Sequence, residues 1–202
     1  KAPAPFSVRQ AMDVLRQTLT NRRLLLFLIS AALLTEAHQT ITTFFNQLQY
    51  ARWGLSSAAI GILYIAAVLL GLSGVWSARL TNKTGPLWGG VLLCSAAVLA
   101  CTALALSTGA VSSVCAILAL RLSNTLFQPF QMELQSRQVV TEHRATALSI
   151  HAMVIDGVGV CTNLAFGALA EVDLTCAFWF GGGICLTGLV LFLIWYKLRP
   201  RA

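Results

Sequence analysis

Six stretches of predominantly apolar residues, separated by short polar connectors, constrain this chain more than any other feature. A helix rises 1.5 Å per residue, so roughly 20 such residues cross the ~30 Å hydrocarbon core of a bilayer. Bounded by charges or by Gly, Pro and Ser clusters, the stretches fall at about 24–49, 57–78, 86–106, 110–135, 145–170 and 175–196. Hydrocarbon offers no partner to a backbone N–H or C=O, which leaves helices as the form such runs take. The pattern predicts an all-α membrane protein of six transmembrane helices over 24–196, with consecutive helices antiparallel. Composition agrees: 57% of the 202 residues are hydrophobic and 10% charged, against ~25% charged in soluble domains.

The net charge of +7 reads as a topology signal. The basic residues are not gathered on one polar element and no nucleic-acid motif accompanies them. If the N-terminus is cytoplasmic, twelve of the fourteen Lys and Arg fall in inside segments, Arg52 alone falls outside, and Arg121 lies within a helix. The positive-inside rule then puts both termini in the cytoplasm of a multi-pass protein of the plasma membrane. The five tryptophans, Trp53, Trp76, Trp88, Trp179 and Trp195, all lie near expected helix ends, at headgroup depth. The six cysteines form no CxxC pair and have no histidine at zinc spacing, so they read as packing or lipid-facing thiols. No metal, cofactor or nucleophile motif is present, and the reading is of a protein that is not an enzyme.

Residues 1–23 form a cytoplasmic lead-in. Ser7 and Gln10 have capping-box spacing, and Val8, Met12, Leu15 and Leu19 share a face opposite Arg9, Asp13 and Arg16, as in a helix lying on the membrane surface. Residues 197–202 are a short cytoplasmic tail. The chain starts at Lys1 rather than Met, which reads as a piece of something longer.

Ionisable side chains inside a membrane helix cost ~2.5–3.5 kcal/mol each by insertion scales, so they are functional candidates by default. Glu36 and His38, Arg121, and His151 and Asp156 meet this description. In the fourth helix, Arg121, Asn124, Gln128, Gln131 and Gln135 recur at spacings of three and four and form one polar stripe, with Pro129 inside it. In the first, Glu36, Thr40, Thr43 and Gln47 share a face, with Gln39 and Asn46 at its edge; in the fifth, Ser149, Asp156 and Asn163 align at intervals of seven. Three helices with one polar face each predict a central pathway for a solute or ion. Arg121 and Asp156 are expected to form a structural or gating pair, and Glu36 to serve as a proton or cation site. His38 and His151 read as packing histidines, and Phe44, Phe45, Phe127 and Phe130 could suit an aromatic solute.

These features resemble the C-terminal six-helix half of a major facilitator superfamily transporter, over essentially the whole chain. Polar stripes on the first and fourth helices, with no charge in the third and sixth, are similar to that family's three-plus-three inverted repeat. Gly74 to Gly85 resembles a degenerate copy of its cytoplasmic loop signature, with Ala78 in the acidic position and Gly74, Arg79, Lys83 and Gly85 left as a tight basic turn. The stretch Glu142 to Gly159 looks like the start of the family's eleventh helix. A Gly-Pro antiporter signature has no counterpart, since Asn163 and Leu164 stand in its place.

The resemblance implies half of a secondary transporter that moves a small organic solute, efflux-like and proton-coupled, beside an N-terminal half or a second copy. Uptake of a metabolite or organic anion clamped by Arg121 is the alternative. A non-transporting membrane subunit that holds a partner is the reading of another class.

Overall fold

A computed structural model describes residues 8–139 and 144–198, with side chains from residue 12 onward. Ser7 and the flanks Glu142, Arg199 and Arg201 lie outside the described residues. The order is α1 (Val8–Thr20), α2 (Arg22–Gln39), a π-helical segment (Thr40–Phe45), α3 (Asn46–Arg52), α4 (Ser57–Gly71), a 3-10 segment (Leu72–Trp76), α5 (Ser77–Ala105), α6 (Ala110–Ser136), α7 (Arg144–Val172) and α8 (Leu174–Lys197). Among the described residues the chain is all helical, with no strand.

Among the described residues, five continuous helical stretches are long and apolar enough to cross a membrane. One of them, Ser57–Ala105, has 49 residues, and as a straight helix it would measure about 74 Å, more than twice a hydrocarbon core. It turns back at Gly85, whose φ of 76° and ψ of 164° are non-helical. Pro86 follows, suited to the first turn of the next helix because its missing N–H would have no partner there. Six segments result, compatible with a multi-pass membrane protein. The second runs to Thr84, beyond the expected end at 78, because Thr81 and Thr84 satisfy their hydroxyls on the carbonyls of Ser77 and Leu80 at 3.0 and 2.9 Å. Polar residues near a helix end therefore need not mark a loop.

The first segment forms the centre of the bundle. It packs on α8, α7 and α6, while α5 packs on both α6 and α8, and α4 on α6. Small residues set the closest approach: the Ser30 hydroxyl donates to the Gly188 carbonyl at 2.7 Å, and a Cβ on Gly188 would stand 3.1 Å from the Ser30 carbonyl oxygen. Around this contact Phe27, Trp195, Phe192 and Phe130 stack in succession at centroid distances of 4.9, 5.6 and 6.1 Å. Trp195 is thus 1% exposed and belongs to the core, whereas Trp76, Trp88 and Trp179 stay exposed as boundary tryptophans should.

One end of the bundle is closed by polar clasps. Gln49 donates to Ser107 and Ser113 at 3.2 and 2.9 Å, across the α5–α6 turn. Arg52 meets Asp173 at 3.5 Å and Thr175 at 3.2 Å. Asp173 caps α8 by accepting from the Thr175 N–H, and that bond, helped by Arg52, holds its carboxyl below the usual range. The other end carries Arg22, Arg23, Arg137, Arg144 and Lys197. There Arg144 bonds Ser136, and Arg23 lies over the Trp195 ring at 5.7 Å. In α1, Thr18 is buried while Met12 and Leu19 remain exposed, so part of the expected apolar stripe is left uncovered.

Candidate functional site

Glu36 projects from the last turn of α2 toward α7 and is 7% exposed. It fits there because residue 159 is glycine: a Cβ at that position would stand 2.7 Å from the carboxylate carbon. Asn163, one helical turn further along α7, donates its amide to Glu36 Oε2 at 3.2 Å and accepts from the Thr40 hydroxyl at 2.6 Å. Among the described residues this is the one hydrogen bond given to a carboxylate that can accept about four. Glu36, Gln39, Asp156, Gly159, Val160, Asn163 and Leu164 wall an open groove of about 500 Å³.

A second cavity, of about 140 Å³, lies on the other side of the first segment, against α4 and α6. Arg121 reaches it from α6, and Thr42, Thr43, Asn46, Tyr50 and Tyr64 supply its polar lining. The π-helical turn sits between the two sites and loosens the backbone ladder. Asn46 exploits this, donating to the Thr42 carbonyl at 2.7 Å and accepting from the Tyr64 hydroxyl at 3.1 Å. Gln47 donates to Tyr64 at 2.9 Å.

The expected Arg121–Asp156 pair is not formed: Arg121 faces the smaller cavity and Asp156 the groove beside Glu36. The physical reason is rotational, since α7 turns its polar face toward α2 rather than α6. The stripe on α6 also divides. Asn124 is buried near His38, Gln131 accepts from Thr35 at 3.3 Å, Gln135 is buried, and Gln128 is exposed. His38 bonds Thr42 at 3.1 Å inside the bundle, and His151 is buried. Phe45, Phe127 and Phe130 are core residues, so an aromatic solute would find only Phe44 exposed.

Gly74 lies in the 3-10 segment, where a Cβ would come within 3.3 Å of the Thr125 carbonyl oxygen. That carbonyl is the one Pro129 cannot bond, so Gly74 packs onto the proline turn of α6 and the true turn is Gly85. Arg79 and Lys83 are exposed on the last helical turns before it. Asn163 had shown its position through its seven-residue spacing, but Gly159 and Tyr64 carried no such signal, because each matters only through what lies opposite.

Fold and site together define an all-helical bundle with helices long enough for a membrane and two polar sites between them. Compared with protein-family models, curated proteins and solved structures, the chain shows no match. All six cysteines are free, and no group of three or more metal-ligating side chains occurs among the described residues.

Proposed function

We propose that these residues form one six-helix half of a secondary active transporter, in which Glu36 couples solute movement to a proton or cation. The observation that carries this reading is a buried carboxylate with one hydrogen bond, set in the wall of a groove of about 500 Å³ with Asp156 beside it. A second carboxylate on the same wall makes the groove a place for a proton or cation rather than an anion. The neighbour relations support a three-plus-three organisation. Exchanging the first, second and third segments with the fourth, fifth and sixth carries the α2–α8 contact onto α5–α6, the α2–α7 contact onto α4–α6, and α5–α8 onto itself. Alternating access by such a half needs a second bundle rocking against it. An efflux-like direction and cytoplasmic termini follow from the sequence resemblance and the Lys and Arg distribution.

The test is flux in proteoliposomes driven by a pH step. Glu36→Gln keeps the size and the Asn163 contact but not the charge. It should reduce pH-driven flux at least about tenfold, an effect of ~1.4 kcal/mol or more, while exchange down a solute gradient persists. Undiminished pH-driven flux in that variant would remove Glu36 from the mechanism.

A further inference from the structure

Arg121 is a permanent cation with five N–H donors, and its Nε is buried without a partner. Among the described residues its guanidinium makes no ion pair; the acids Glu36 and Asp156 line the other site. Every other residue around its cavity is neutral. A charge held so within a helical bundle is costly to leave uncompensated, yet the described residues provide no counter-ion.

The cavity has two sides. Thr43, Asn46 and Tyr64 present hydroxyl and amide groups, with Tyr64 already fixed between Asn46 and Gln47. Leu63, Val68 and Ile117 present hydrocarbon. Its volume of about 140 Å³ suits a small body. One guanidinium matches one negative charge, and a planar fork matches a carboxylate in a bidentate pair. A phosphate dianion would exchange one unpaired charge for another.

We propose that this cavity binds the carboxylate of a small amphipathic organic acid, with Arg121 as the clamp and Leu63, Val68 and Ile117 holding the apolar body. Its binding stands by itself; only the further step, that the acid is cargo, rests on the transport reading. Binding with no proton-coupled flux, or flux with no binding, would therefore tell the two apart.

The experiment is calorimetric titration of the full protein in detergent with benzoate, with its neutral isostere benzamide, and with benzylamine. Saturable benzoate binding is expected, weakened about ten- to a hundredfold in Arg121→Gln, the loss of a charge-assisted pair, with much weaker binding of the other two. No benzoate binding, equal binding of benzamide, or unchanged affinity in Arg121→Gln would overturn the proposal. Wild-type protein supplies a second measurement should that variant not fold. Benzoate, and not benzamide, should slow phenylglyoxal modification of Arg121 as read by peptide mass spectrometry, and an equal rate with and without benzoate counts against the site.

Discussion

Glu36 is held from behind by a missing atom. The space its carboxylate occupies exists because Gly159 lacks a Cβ, and Asn163 fixes the orientation from the next turn of α7. Gly159→Ala should therefore act on the site first: the carboxylate must move into the groove or α7 must retreat. Overpacking of this kind costs about 1–3 kcal/mol, so the midpoint of thermal unfolding should fall modestly while coupled flux falls sharply. Unchanged flux in Gly159→Ala would mean that the position of the carboxylate does not matter. The charge on Glu36 was legible in the sequence because an acid inside an apolar run is conspicuous. Its partners were less so, and the Arg121–Asp156 pairing failed because helical periodicity places residues on faces without saying which neighbour each face meets.

The ends and interiors of the helices were legible to different degrees. Apolar run lengths located all six segments within a few residues at most ends, and the second, extending to Thr84, is the clear departure. The π-helical segment at Thr40–Phe45 was invisible, since nothing in the composition of TITTFF marks a change of helical ladder. Gly85 shows how an element boundary is enforced. Its φ of 76° with ψ of 164° lies in a region essentially reserved for glycine, where another residue costs about 1–3 kcal/mol. Nothing stands within 4 Å of a Cβ built there, so the cost in Gly85→Ala is backbone strain alone. The variant should lower thermal stability by about that amount in detergent, read by circular dichroism. A melting temperature equal to wild type would show that the turn has other conformations open to it.

At the scale of the whole molecule, what remains exposed is more informative than what is buried. Gln39, Thr43, Gln47 and Gln128 on two helices, and Ser149, Asp156 and Asn163 on α7, are all exposed, in a chain whose mean hydropathy is +0.75. Asp156 facing hydrocarbon would cost ~2.5–3.5 kcal/mol by insertion scales. On the transport reading proposed above, this polar wall is the surface that a second bundle, a homologous half or a second copy, would cover, with the pathway between the two. From this follows the expectation that the 202 residues reconstituted alone carry no saturable solute flux. Co-reconstitution with the covering bundle should restore it. If the partner is a second copy, a cysteine placed at Gln39 in a background with the native cysteines replaced should cross-link between chains in the membrane, and flux should rise with the square of protein density. Saturable flux from an isolated monomer, verified by mass photometry of the same sample, would sink both the half-transporter assignment and the claim that this face is closed by a partner.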